Sequence, residues 1–331
     1  MKRNSRFLGV LCVVLASMCY GITPILSNTA LKGGLPADFL TGLLGYVPDV
    51  AVLDPDRAML NESVVGFGMA IACVLSLLVC LFERRSLRVH PRQALELSLF
   101  GGGGFTATML LISYSYLCIP AGTTIVLNFT YPILVAVISA IMFRERLRLP
   151  TVLALLTAVA GVALISGLGA GGDALGKNPA LGIPLALLSG LAYAVYFLAG
   201  RHASYRELDT SVSNVFITGS AAVFCFTAAL VTGRFRLPPT WFTWLVLLSS
   251  GILGYMVGLR LLLKGIRLLG STAASALNTL EPVFASLTGM LVFSESMTLM
   301  KGAGIVLVLA GALISILFMG RPRQASEGQP A

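Results

Sequence analysis

Residues 277–295 read LNTLEPVFASLTGMLVFSE, and residues 127–145, exactly 150 positions earlier, read LNFTYPILVAVISAIMFRE. The two stretches align without a gap. Leu127, Asn128, Pro132, Phe143 and Glu145 meet Leu277, Asn278, Pro282, Phe293 and Glu295. The register continues through Leu149, Ala160 and Gly161 onto Leu299, Ala310 and Gly311. A second offset, of 173, pairs Leu8, Gly9, Leu15 and Tyr20 with Leu181, Gly182, Leu188 and Tyr193. Leucine, alanine and glycine coincide easily in apolar helices; an Asn, a Pro and a Glu at fixed spacing do not. The chain therefore reads as two repeats, about 1–168 and 176–319, with a tail at 320–331.

Composition says where these repeats reside. Of 331 residues, 56% are hydrophobic and 11% charged, and the mean hydropathy is +0.89. A soluble domain needs about 25% charge to solvate its surface. Soluble enzymes, nucleic-acid binders and disordered regulators are thereby excluded, and a polytopic membrane protein remains. The six cysteines lie in or beside apolar runs and form no CxxC, so they read as small hydrophobes, not zinc ligands or a disulfide framework. The apolar run from Phe7 follows a basic start but has no good cleavage site, and reads as a retained first helix.

A span needs about 20 apolar residues. Ten segments qualify: 7–28, 63–82, 94–116, 121–143, 150–168, 181–200, 211–232, 241–263, 271–293 and 299–319. With the N-terminus inside, sixteen lysines and arginines fall in inside segments and six in outside ones, while Arg260 lies within a span. Positive-inside bias thus places both termini in the cytoplasm, and the +9 net charge becomes a topology signal. Five spans per repeat is an odd number, so the second copy enters the membrane upside down. The predicted fold is an all-α polytopic membrane protein with ten transmembrane helices in two inverted five-helix repeats. Inverted repeats are the architecture of secondary transporters, whose site lies near the midplane between the halves.

The run Asn278 to Ala285, followed by Phe293-Ser294-Glu295, resembles the "LEPVxA…GE" signature of EamA-type transporters in the drug/metabolite transporter superfamily. Asn128 to Pro132, with Phe143-Arg144-Glu145, resembles the matching segment of the other EamA repeat. The resemblance spans about 7–319. It implies ten helices, inverted repeats and internal termini, and points to export of an amino acid or related metabolite. The sequence departs from the pattern twice. The usual glycine before the helix-end glutamate is Arg144 or Ser294, and the outside loop 33–62 is longer than expected. That loop is acidic and either caps the outer mouth or is a tolerated insertion.

Glu281 falls about eleven residues into its span, near the midplane, where a carboxylate costs at least a few kcal/mol. Either it lines a cavity and binds a cationic substrate group or a proton, or it stabilises the break at Pro282. Asn128 and Asn278 each precede a proline by four residues, so proline frees their own carbonyls. They either repair the kinked backbone or bind substrate across the pseudo-twofold axis. Ser275, Asn278 and Glu281 form one polar stripe, and Thr124, Asn128 and Tyr131 another. Tyr131 and Tyr193 are deep enough to line the same cavity. Pro24 beside Tyr20, Pro132 and Pro282 are gate or hinge candidates. Gly101, Gly102, Gly103 and Gly104 lie within one helix and serve close packing or a hinge. Arg260 reaches toward water or pairs with Glu281 or an anionic substrate.

The spans contain no His or Asp, which leaves a membrane protease or an Asp-dependent transferase without its machinery. No metal or cofactor motif is present, and no enzyme activity is expected. The reading is a multi-pass inner- or plasma-membrane carrier working by alternating access. Its partners are the bilayer, a small-molecule substrate and possible coupling protons, not nucleic acid, and it acts as a monomer or homodimer. A receptor or channel-like module is the alternative.

Overall fold

The computed structural model describes residues 2–34, 54, 56, 58–144, 147–166, 178–293 and 297–318. Expectations placed on Glu145, Glu295, Ser294, most of the 33–62 loop and the 320–331 tail fall outside these residues.

The described residues form ten helical units. They are α1 (Lys2–Lys32), α2 (Asn61–Phe82), α3 (Pro91–Tyr116), α4a and α4b (Ala121–Asn128 and Tyr131–Met142) and α5 (Leu149–Ile165). The second half holds α6 (Pro179–His202), α7 (Thr210–Val231), α8 (Trp241–Leu269), α9a and α9b (Ser271–Asn278 and Glu281–Phe293) and α10 (Leu299–Phe318). Their starts follow local chemistry. Pro91, Pro132, Pro150 and Pro179 stand in first turns, where a missing N–H costs nothing. Asp209 and Thr240 accept hydrogen bonds from Ser211 N and Thr243 N, capping α7 and α8. Burial raises the Asp209 carboxyl, but hydrogen bonds from Ser211 and the charge of Arg85 outweigh it and hold the group below its usual value.

Eight helical stretches among the described residues are long and apolar enough to cross a bilayer, against the ten expected. The difference has two causes. α5 is apolar but only 17 residues long, and the ninth predicted span is divided at Thr279–Leu280 into pieces of 8 and 13 residues. α8 is longer than predicted. Lys264 and Arg267, expected in a loop, continue the helix, and Arg267 donates to the carbonyls of Leu208 and Tyr205 and to Ser213 Oγ at 2.9 Å.

Only Gly270 then separates α8 from α9a, at φ +93° and ψ 160°. A side chain there would meet nothing within 4 Å, so its backbone conformation alone demands glycine. Gly270→Ala is expected to destabilise by about 1–3 kcal/mol, read as a lower unfolding midpoint in detergent. Arg144, standing where the family pattern has glycine, has φ +54°, the left-handed conformation glycine adopts most easily.

The packing relates the halves. α5 lies on α10 and α2 on α7; α3 lies on α6 as α8 lies on α1; α4 lies on α6 as α9 lies on α1. Exchanging the first five units with the second five reproduces these pairings. Close approach rests on small residues. A Cβ on Gly161 would stand 2.6 Å from Gly304 O, and one on Gly311 2.8 Å from Ala154 O. Lipid-side positions such as Leu15, Leu78, Leu153, Val223 and Leu313 stay exposed and apolar.

The two equivalent helices α3 and α8 each carry a π-helical segment, Leu97–Gly103 and Gly251–Gly258. Such segments concentrate at functional positions. Gly101 to Gly104 span the end of the first. Gly101 and Gly102 are buried against α7, so close packing is present at the glycines. On α8 the widened turns are held by the buried Asn214, which donates to Ser76 Oγ at 3.0 Å and to Tyr255 O at 3.2 Å.

Candidate functional site

The breaks in α4 and α9 occur at the residues that the repeat singles out. Asn128 ends α4a, and Tyr131-Pro132 opens α4b; Asn278 ends α9a, and Glu281-Pro282 opens α9b. Proline supplies no N–H to continue the preceding helix, so the turn loosens and local hydroxyls repair it. Thr130 Oγ1 donates to Leu127 O and Thr279 Oγ1 to Ala276 O, both at 2.7 Å. Tyr131 and Glu281 are thus equivalent positions carrying different chemistry.

Asn278, fully buried, is the hub. Its Oδ1 accepts from Ser17 Oγ of α1 at 3.2 Å. Its Nδ2 donates to Glu281 Oε2 at 3.2 Å and to Tyr131 OH at 3.0 Å, with Tyr193 OH at 3.5 Å. The amide has two hydrogens, so the two shorter bonds satisfy it. Around it pack Tyr131 and Tyr193, with ring centroids 4.6 Å apart, then Phe197, Phe105 and Tyr196. Among the described residues Tyr20 OH is buried without a hydrogen-bond partner.

Glu281 is partly accessible, unlike the fully buried Asn278. Its carboxylate acts electrostatically on Tyr20, Tyr116, Tyr131 and Tyr193. Among the described residues no lysine or arginine acts on it. Among the described residues Arg260 makes no ion pair with Glu281, so that expected alternative is not formed. The site offers one uncompensated carboxylate, an amide and phenols, a set suited to a cation or a proton.

The equivalent Asn128 is buried and accepts from Ser189 Oγ of α6 at 3.0 Å. The predicted stripes are not continuous. Thr124 Oγ1 meets Ser115 Oγ at 3.0 Å, and Ser275 Oγ returns to Thr272 O at 3.0 Å, so neither joins the hub. The stripe argument assumed unbroken helices, and each break resets the face. Pro24 lies inside α1, four residues beyond Tyr20. A separate crevice of about 350 Å³, walled by Ile22, Ile25, Leu26, Val246 and Leu291 among others, is apolar and lies between α1, α8 and α9b. Among the described residues no group of three His, Cys, Asp or Glu could hold a metal.

Sequence reasoning missed Ser17 and Ser189. Each is the hydroxyl that fixes an asparagine of the other repeat, and the 173 offset places them one position out of register. It also missed Glu62, counted as a loop acid. Glu62 is buried, pairs with Arg234 at 3.0 Å and accepts from Tyr114 OH at 3.2 Å. The only legible signal was a basic pair, Arg234 and Arg236, in a loop expected outside. Hydrogen bonding and charge from Glu62 push Arg234 above its ordinary value. Arg234→Ala would strand the carboxylate. A broken buried pair costs roughly 3–5 kcal/mol. With Arg234 37% exposed, about 2 kcal/mol is expected as a lower unfolding midpoint, partly restored by Glu62→Leu in the same chain.

The sequence profile of the EamA-like transporter family matches residues 58–167 and 180–317, one match in each half. The chain belongs to the EamA-like transporter family. It is therefore a multi-pass membrane protein of a transporter family, not of an enzyme family. An uncharacterized transporter of Archaeoglobus fulgidus is 29% identical over 40% of this chain and 47% of its own length. The uncharacterized transporter YxxF of Bacillus subtilis is 26% identical over 60% of this chain and 62% of its own. The chain thus matches less than two thirds of each relative. A chain of known crystal structure has the same fold, at 17% identity, with a TM-score of 0.75 over 94% of this EamA chain and 97% of that one.

Proposed function

We propose that this EamA protein is a secondary transporter that exports a small polar metabolite, an amino acid or a relative of one, by alternating access. In this reading ten spans form two inverted repeats, 1–168 and 176–319, with both termini and the 320–331 tail in the cytoplasm of a cell or inner membrane. Glu281, Asn278, Tyr131 and Tyr193 bind cargo, a cationic group of the cargo or a proton serving as counter-charge to Glu281. Pro24, Pro132, Pro282 and Gly101 to Gly104 supply the compliance for rocking. Asn128 lines the same axis, while Thr124 and Ser275 support the helices behind it.

The observation that carries this is Glu281, a partly accessible residue whose carboxylate is bonded to a buried asparagine where α9 is broken, between the two halves. The conformation supports a direction of access. α4b packs on α9a, where Ser139 Oγ meets Ser271 Oγ at 3.2 Å, whereas α4a packs on α5 and α6, and α9b on α1 and α5. With the N-terminus inside, α4b and α9a are the inner halves, and Glu281 is reached from outside.

The test is a panel of labelled metabolites in proteoliposomes, with and without a pH gradient. Saturable flux of one class supports the reading, and acceleration by the gradient identifies the proton as coupling ion. No flux with any solute, alongside ligand-dependent signalling, would favour a receptor.

A further inference from the structure

We infer that Asn128 is a positioning residue that receives Glu281 in the conformation opposite to the one observed, so that the carboxylate passes from one asparagine to its repeat-equivalent as access alternates. The inference rests on the alternating-access reading above.

The argument begins with the 150-residue offset, which makes Asn128 equivalent to Asn278 and Tyr131 equivalent to Glu281. Where α9a packs on α4b, the bond from Asn278 Nδ2 to Tyr131 OH at 3.0 Å joins the two broken helices, beside the contact of Ser139 Oγ with Ser271 Oγ at 3.2 Å. Exchanging the conformations of the two repeats turns each contact into its equivalent. The packing of α9a on α4b becomes that of α4a on α9b. The bond from Asn278 to Tyr131 becomes a bond from Asn128 to Glu281.

The side chains are set for this. Ser17 and Ser189 face the side-chain oxygens of Asn278 and Asn128 at 3.2 and 3.0 Å, each sharing its one hydroxyl hydrogen with a carbonyl of its own helix, Val13 O at 3.0 Å and Ala186 O at 2.6 Å, and this arrangement leaves both NH2 groups to donate elsewhere. That of Asn278 is in use. Among the described residues, that of Asn128 has no hydrogen-bond partner. Among the described residues Glu281 is held by Asn278 alone, and the residue is partly accessible. A bond to a charged acceptor is also stronger than one to a phenol. The Tyr-to-Glu difference between repeats therefore makes the two end states unequal, and gives Glu281 a partner in both.

The test reads conformation, not cargo. In a background lacking the native cysteines, Ser139→Cys with Ser271→Cys reports the observed state by disulfide cross-linking in membranes. Their equivalents, Ala121→Cys with Gly289→Cys, report the exchanged state. Asn128→Ala is expected to reduce the ratio of exchanged to observed cross-linking about tenfold, and Asn278→Ala to raise it. Exchanged cross-linking that is equally strong with and without Asn128→Ala would overturn the inference while leaving alternating access intact. Absence of the exchanged cross-link in every variant would instead overturn the alternating-access reading. Hydrogen exchange on the protein with its native cysteines gives a second measurement. Asn128→Ala should slow exchange in 271–278 relative to 121–128, and an unchanged pattern would count against the inference.

Discussion

Glu281→Gln is expected to lower transport at least tenfold and to leave the residual rate independent of pH. The substitution keeps the side chain's size and an oxygen that can accept from Asn278 Nδ2, now 3.2 Å from the carboxylate. Helix α9b should therefore start where it does, and the fold should survive. What is lost is the charge. In the native site no described lysine or arginine balances that charge, and in the proposed cycle a proton or the cargo does so. An amide requires neither, and the cycle loses the step at which the counter-charge binds. Initial rates in proteoliposomes across a pH series check this. Wild-type rates at every pH would show that Glu281 serves only the helix break.

Gly102→Leu is expected to cost about 3 kcal/mol or more and to abolish most well-folded protein. A Cβ on Gly102 would stand 2.0 Å from Ser220 Oγ, 2.7 Å from Ile217 O and 3.0 Å from Ala221 N. Ser220 can rotate away, but two of the three obstacles are α7 backbone, so α3 and α7 would have to separate. Gly103 is the internal control. Its Cβ would meet Ser98 O at 3.4 Å and Phe224 at 3.5 Å, ordinary contacts, so Gly103→Ala should fold normally. Yield of monodisperse protein and its unfolding midpoint distinguish the two. Wild-type behaviour of Gly102→Leu would mean that α3 does not lie against α7 as described.

Much of the site is legible in the sequence. A lone carboxylate, paired asparagines and two deep tyrosines stand out because polar groups are expensive in a bilayer and few sequences keep them without cause. Asn278, Tyr131, Tyr193 and Glu281 do meet. Thr124 and Ser275 do not, because the face they were assigned continues only along an unbroken helix. Serines carry almost no signal in an apolar run, since a hydroxyl can bond to its own helix. Ser17 does so with Val13 O while also holding Asn278. Glu62 was indistinguishable from the other acids of its loop, because its partner Arg234 stands 172 positions away.

The sequence by itself determined the class and the internal repeat. Hydropathy is a local sum, and an offset of 150 is visible wherever costly residues recur. Tertiary structure decided which equivalent residues do the same thing. It gave Asn278 four neighbours and Asn128 a single serine, joined α4b to α9a, and left Glu281 accessible beside its buried partner. The physical reason is that a repeat specifies equivalent surfaces, while packing them into one body closes some equivalent contacts in both copies, as α3 on α6 and α8 on α1, and others in one copy, as α9a on α4b.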